Sequence, residues 1–430
     1  MAARVRRFFT DRSGNFGILF GLLAIPLVGG IGLMLDFFQV DRIRTELQQA
    51  ADAAAVGSVA IPSPAFFAAG SMMHDGTIKD GVDDAEKLFE AEVSGDAKTA
   101  VTKVDPSVTK NGRDITAVVN FEATVPTEFM KILGVKSVDI SGSASAMNST
   151  PAFTDFYLLL DNTPSMGLGA TQADIDMMVK NTPDKCAFAC HETSNATDYY
   201  ALAKLLKVTM RIDVVAQATA KMMDKAESTE TYTDQYRMAL YHFGEKAEAA
   251  GLQRLVKLTG DLDQIRTKAS TSVDLMTVPY QNYNFDQDTD FNAALNAMDK
   301  QISAVGTGAT SNSRLKYLLF VSDGVADYSN NSSCQKKTTG GRCQEPINTA
   351  YCDVLKNRGV KIAILYTSYY PLPTNGWYNT WIKPFESEIG ARMESCASPG
   401  LFFEVSPTEG IAEAMNALFE KMISQPKIIN

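Results

Sequence analysis

The sequence predicts an α/β protein. A mostly parallel central sheet with helices on both faces is preceded by a transmembrane helix, a helical stalk and a small α+β unit. Three observations predict it. After Thr154, short apolar runs alternate with amphipathic helical segments. Near the N-terminus, Phe16 to Leu35 contains no charged residue. Where the apolar run Phe156–Leu160 ends, an oxygen-rich turn follows, Asp161-Asn162-Thr163-Pro164-Ser165.

The bulk properties set limits. A chain of 430 residues is long enough for two domains with appendages. Hydrophobic content of 45% with 21% charged residues is ordinary globular composition. A net charge of −10 argues against a nucleic-acid partner, which needs a basic surface. Six cysteines, an even number, are compatible with disulfides if the domain lies outside the cytoplasm.

The apolar run Phe16–Leu35 is about 20 residues, enough to cross a bilayer as helix, and it tolerates Pro26 and Gly29-Gly30. Arg4, Arg6, Arg7 and Arg12 precede it, so the positive-inside rule keeps residues 1–15 in the cytoplasm and exports the remainder. A cleaved signal peptide is the competing reading, but its apolar region is usually only ~7–15 residues. The cluster Ala53-Ala54-Ala55 also lies far beyond the run. The expectation is an uncleaved single-pass anchor at 16–35.

Residues 36–60 continue as helix, with Val40, Ile43, Leu47, Ala50 and Ala54 on one stripe. That stripe either lies on its own domain or pairs with copies and related subunits. Ile61-Pro62-Ser63-Pro64 breaks the helix. Within 61–150, Asp84–Val93 reads as a helix, and Ile115–Val125 and Val138–Ala146 read as strands, with a turn at Asn111-Gly112.

Across 151–430 the predicted strands are 156–160, 236–243, 315–322, 360–366 and 401–405. The predicted helices are 199–226, 291–305, 346–358, 382–393 and 411–423. Apolar strands separated by helices indicate a parallel sheet, whose ligands bind beyond the carboxyl ends of the strands. Asp161, Thr163 and Ser165 sit at that edge, and so does Asp323, which follows the strand 315–322. Between them, Asp286-Gln287-Asp288-Thr289-Asp290 precedes a helix that Thr289 or Asp290 can cap. Oxygen donors of this kind suit a hard divalent cation such as Mg²⁺.

This arrangement, Asp161-x-Thr163-x-Ser165 with Thr289 and with Asp323 in the phrase FVSDG, resembles the von Willebrand factor A domain and its metal-ion-dependent adhesion site. The resemblance implies a Rossmann-like sheet and a divalent cation, usually Mg²⁺, with a position open for a partner's carboxylate. Asp161 and Asp323 would supply charge, and Thr163, Ser165 and Thr289 hydroxyl oxygens. Thr163 replaces the family's first serine, and Pro164 stiffens the loop.

The N-terminal part resembles the TadE/TadG-like family of tight-adherence (Flp) pilus machinery, the TadG branch in particular. The resemblance is carried by RRFFTDRSGNFGILFGLLAIPLVGGIGLMLDF, RIRTELQQAADAAAVGSVA and VPTEFMKILGVKSVDISGSASA. Prepilin-peptidase substrates carry Glu five residues after the cleavage Gly. Here Leu19 holds that offset from Gly14, so no such cleavage is expected.

Export suits three disulfides, Cys186–Cys190, Cys334–Cys343 and Cys352–Cys396, although sequence does not prove pairing. A zinc site from Cys186, Cys190, His191 and Glu192 is the alternative for the first pair. Enzymatic readings are poor. The chain has three histidines, no GxSxG elbow and no P-loop, and Gly306-Thr307-Gly308 lies between a helix and a strand, the wrong order for a phosphate cradle. His242, inside a strand, reads as structural.

The expected protein is a non-enzymatic, inner-membrane-anchored pilus assembly or adhesion protein with its C-terminal domain periplasmic or extracellular. Its partners would be an acidic side chain of another protein and other Tad pilus or pseudopilin-like subunits. The first alternative is a metal-independent structural component of the pilus base or envelope. The second is an accessory ATPase partner of chelatase type, which the anchor and the cysteines disfavour.

Overall fold

The structure is a computed structural model, described for residues 14–329, 332, 334–336, 341–369, 371–372, 375–405 and 410–424. The four N-terminal arginines lie outside the described residues. The chain divides into two compact units, Met1–Thr150 and Pro151–Asn430.

The first unit contains α1 (Gly14–Val59), α2 (Pro64–Ser71), β1 (Gly76–Thr77), α3 (Lys79–Glu92), α4 (Gly95–Ala100), β2 (Val101–Asn111), β3 (Asp114–Pro126) and β4 (Ser137–Ser149). The segments expected as anchor and stalk are one helix that runs through Pro26 without interruption. Its N-terminal half is long and apolar enough to cross a membrane, with mean hydropathy 2.0 and only 11% of that window buried, unlike the core helix of a soluble domain. Its C-terminal half is the unit's own core. Ile43, Leu47, Ala50 and Ala54 are buried against α3, β3 and β4. Of the two readings of the stripe, the structure therefore adopts the first. Gly142 of β4 permits the close approach, since a Cβ there would lie 2.4 Å from the Phe121 ring and 2.6 Å from Gln48.

Ser63 restarts the chain after Ile61-Pro62 by accepting the Phe66 N–H at 3.1 Å. Helix α3 begins at Lys79, earlier than expected from sequence. The antiparallel sheet has the order β1-β2-β3-β4, with β2 and β3 joined at Asn111-Gly112, where Gly112 takes φ +59. Sequence reading misses β2 because Lys103, Asp105 and Pro106 interrupt its apolar alternation.

The second unit contains β5 (Thr154–Leu160), α5 (Gln172–Asn181), α6 (Tyr199–Leu205), α7 (Arg211–Thr229), β6 (Tyr236–His242), β7 (Gln253–Thr259), α8 (Leu262–Ser272), α9 (Phe291–Gln301), β8 (Leu315–Ser322), β9 (Val325–Ser329), β10 (Arg342–Pro346), α10 (Thr349–Asn357), β11 (Lys361–Thr367), α11 (Glu386–Cys396), β12 (Phe402–Val405) and α12 (Ile411–Ile423). The six-stranded sheet has the order β12-β11-β8-β5-β6-β7, and only β7 runs antiparallel to its neighbour. Alternate residues of β5 feed two cores: Phe156, Leu158 and Leu160 on the side of α7, α8 and α12, Tyr157 and Leu159 on the side of α9, α10 and α11.

Several predicted elements are corrected. The helix expected over 199–226 is two helices, α6 and α7. Lys207 takes φ +57, and backbone bonds from Ala170 to Thr209 and from Arg211 to Leu168 draw the intervening chain against the loop after β5. The helix expected from Pro346 begins at Thr349, because Pro346 ends β10 and Asn348 caps α10. The helix expected from Ile382 begins in regular form at Glu386, two residues after Pro384. Helix α9 stops at Gln301 rather than continuing to Val305.

Cys334–Cys343 and Cys352–Cys396 are disulfides. Cys186 and Cys190 are free thiols, contrary to expectation. They lie in hydrogen-bonding contact, and the Cys186 sulfur also accepts the Phe188 N–H at 3.4 Å.

Candidate functional site

Strands β5 and β8 are parallel neighbours in the register Leu160↔Val321, so Asp161 and Asp323 leave adjacent strands at the same edge. The Asp161 N–H bonds to Val321 at 2.9 Å and seats the turn there. Asp161 Oδ1 accepts the Thr163 N–H at 3.0 Å and the Thr163 hydroxyl at 2.7 Å. Its Oδ2 accepts the Ser322 hydroxyl at 2.6 Å. Pro164 opens the short 3-10 turn Pro164–Gly167, and its fixed φ suits that position.

Thr163 Oγ1 and Ser165 Oγ are 3.4 Å apart, and Ser165 also bonds to Asp323. A hydroxyl has one hydrogen and two acceptor lone pairs. Thr163 spends its hydrogen on Asp161 and keeps lone-pair capacity for a cation, and the Ser165 oxygen stands beside both Thr163 and Asp323. Asp323 Oδ1 accepts the Val325 N–H at 3.3 Å, whereas its buried Oδ2 has no hydrogen-bond partner among the described residues. A carboxylate oxygen with no hydrogen bond, faced by Arg211 Nη1 at 3.6 Å and set beside two hydroxyls, belongs to a donor set that fits a hard divalent cation.

Thr289 arrives from a third segment, held by reciprocal backbone bonds to Asp327, both 2.8 Å. Asp290, not Thr289, caps α9 by accepting the Ala293 N–H at 2.9 Å, which leaves the Thr289 hydroxyl free of that duty. Ser165 and Thr289 line one cleft of ≈ 380 Å³, together with Asp327, Arg342 and Trp377. Asp161, Thr163 and Asp323 are completely buried. The structure thus gathers Asp161, Thr163, Ser165 and Asp323 into one hydrogen-bonded cluster and sets Thr289 on the cleft wall beside Ser165.

The charges are strained by burial. Desolvation, and then the nearby Asp323, push Asp161 up to about 7. Desolvation also raises Asp323, against the opposing pull of Arg211. Arg211 is the residue that sequence reading misses. It is 1% exposed, its Nη2 donates to the Ser368 carbonyl at 2.9 Å, and its Nη1 lies 3.6 Å from Asp323 Oδ2. Its one sequence signal is an arginine between Met210 and Ile212, two apolar residues at the start of a helix. With both aspartates ionised, the guanidinium leaves a formal charge of −1 for an added cation to meet.

The alternative zinc cage is not assembled. His191 Nδ1 faces Asp198 Oδ2 at 3.1 Å, and its ring stacks on Tyr200 at 3.9 Å. Among the described residues, the grouping of ligand atoms close enough for a metal is Cys334, Cys343 and Glu345, and its two sulfurs form a disulfide. His242 is buried in β6, and desolvation holds it below the ordinary histidine range.

The Tad family model, described as Flp pilus-assembly TadE/G-like, matches residues 14–60. No curated protein matches the chain. Among solved structures, the chain is similar to the vWF domain of the type V pili tip protein Mfa5 from Porphyromonas gingivalis. That match has 12% identity and TM-score 0.38, and covers 65% of this chain and 99% of the other. It is also similar to proximal thread matrix protein 1 from the mussel byssus, solved with a zinc-occupied MIDAS motif. There the identity is 12% and the TM-score 0.31, over 64% of this chain and 48% of the mussel protein. The chain therefore spans about half the length of the mussel protein.

Proposed function

We propose that this protein is a membrane-anchored component of a Tad-type pilus system whose C-terminal α/β unit captures an acidic side chain of a protein partner through a divalent cation. The single observation that carries this reading is the cluster at the carboxyl ends of β5 and β8. Two buried carboxylates and two hydroxyls converge there, beneath a cleft that Ser165 opens onto. Asp161, Thr163, Ser165 and Asp323 would hold the cation, Mg²⁺ being the expected ion, with Thr289 adding a hydroxyl from the cleft wall. When bound, the cation supplies a positive centre for a partner's carboxylate. The family match at residues 14–60 supports the pilus assignment. The apolar half of α1 supports a single-pass anchor with the N-terminus cytoplasmic and the second unit periplasmic or extracellular.

A metal-independent structural role is the second reading, and Arg211 is the observation that favours it, since a buried guanidinium already offsets part of the carboxylate charge. Crosslinking in intact cells followed by purification, with and without EDTA, separates the two. The first reading expects a partner that is lost on chelation and in Asp161→Ala while the circular-dichroism spectrum is kept. A partner retained through both treatments rejects the cation bridge and leaves the structural role.

A further inference from the structure

The connection between β3 and β4 carries apolar side chains where a hairpin tip facing water would be polar. Phe129, Ile132, Leu133 and Val135 are 39%, 80%, 70% and 45% exposed. Met130–Leu133 forms a 3-10 turn closed by Gly134 at φ +91. Asp36, the first charged residue after the apolar run of α1, fastens this loop. Its carboxylate accepts the N–H groups of Glu128 at 3.0 Å, Phe129 at 2.8 Å and Met130 at 2.6 Å, and it is itself 3% exposed.

From that point the loop runs along α1 toward its N-terminal half. Phe129 lies so close to Gly32 that a Cβ there would sit 2.5 Å from its ring. Phe129, Ile132 and Leu133 share an apolar groove of ≈ 770 Å³ with Ala24, Gly29 and Leu33. At a helical rise of 1.5 Å per residue, Gly32 is about 6 Å and Ala24 about 18 Å from Asp36 along the axis. The loop therefore reaches alongside the segment that carries the apolar run.

Hydrocarbon demands that backbone polar groups be satisfied internally. Over Thr127–Val135 this loop meets that demand at seven of nine N–H groups, five of them within Phe129–Val135. Asp36 takes those of Glu128, Phe129 and Met130, and loop carbonyls take those of Thr127, Ile132, Gly134 and Val135. Lys131, paired with Glu128 at 2.5 Å, has a side chain long enough to carry its charge back to a headgroup.

We propose that the loop Phe129–Val135 is a second membrane-embedded element, immersed among the acyl chains beside α1. The occupant of its apolar surface is lipid, because that surface continues the exposed apolar face of α1 across Gly32. The inference rests on α1 crossing the bilayer, and the experiment tests the two separately. The full chain is reconstituted into vesicles of phosphatidylcholine and phosphatidylglycerol doped with a phospholipid bearing a diazirine in its acyl chain. After irradiation, lipid adducts are mapped by peptide mass spectrometry. Adducts are expected on peptides covering 129–135 as well as 19–35, and the double variant I132D/L133D is expected to lose the former and keep the latter. Adducts on the helix with none on the loop overturn the proposal and leave the anchor standing. Adducts on neither overturn the anchor reading itself. A loop without adducts that is nonetheless protected from hydrogen exchange in the same vesicles is covered by protein, such as a second copy, and this also overturns the proposal.

Discussion

Arg211 Nη1 lies 3.6 Å from Oδ2 of Asp323, and both side chains are shut away from solvent. A buried ion pair is strongly destabilised when one partner is removed, by about 3–5 kcal/mol. Arg211→Met leaves Asp323 beside Asp161 with no compensating charge. The variant is expected to lose that order of stability in EDTA and to recover much of it in millimolar Mg²⁺, which would take over the neutralisation. Chemical denaturation with and without the cation is the check, and an equal loss under both conditions removes the link between Arg211 and a cation seat.

The cation-free protein should respond to pH through Asp161. Its folded value, about 7, lies above the ordinary 3.8, so between those values the folded chain holds a proton that the unfolded chain has released. The associated stability is full below about pH 4 and is lost as pH rises through about 7. A divalent cation binds the ionised form and opposes that loss. In thermal melts, added Mg²⁺ should therefore raise the midpoint more at about pH 8 than at about pH 5.5. An equal shift at both values contradicts cation binding to the Asp161 carboxylate.

Asp155 offers a control at the opposite end of the same strand. It is fully buried, Arg237 grips it at 2.8 Å through two nitrogens, and Lys316 contacts it at 2.5 Å. Asp155→Ala strands the buried Lys316 and should cost about 3–5 kcal/mol. Calorimetric Mg²⁺ binding by the folded fraction should be unchanged, because the cluster around Asp161 is untouched.

The two disulfides should differ in weight. Cys352–Cys396 closes a separation of 44 residues and joins α10 to α11, whereas Cys334–Cys343 closes only 9. Constraint of the unfolded chain grows with loop length, so replacing Cys352 and Cys396 with Ala should cost about 2–4 kcal/mol and replacing the short pair less. Thiol titration of the denatured, unreduced protein should find two thiols, from Cys186 and Cys190.

Much of the second unit is legible in the sequence because its central strands are buried on both faces and read as unbroken apolar runs. Strand β8 and helix α12 fall on their predicted bounds for that reason. Strand β7 is not legible, since an antiparallel edge strand carries Gln253, Arg254 and Lys257 and shows little apolar pattern. Asp161, Thr163, Ser165 and Asp323 are legible because two turns after apolar strands hold them. Arg211 is not, because its position depends on α7 starting at Arg211, and the apolar periodicity of 199–226 runs across the break at Lys207.

Helix α1 contains no proline after Pro26 and, beyond Gly32, no glycine before Gly57. The rod that would stand in the bilayer is therefore the same rod that braces the first unit, with no swivel between them. The height of that unit above the lipid would be set by helix geometry rather than by a slack tether. A tug or a twist on the unit would pass along a helix free of proline and glycine as far as Gly32, the upper end of the apolar run.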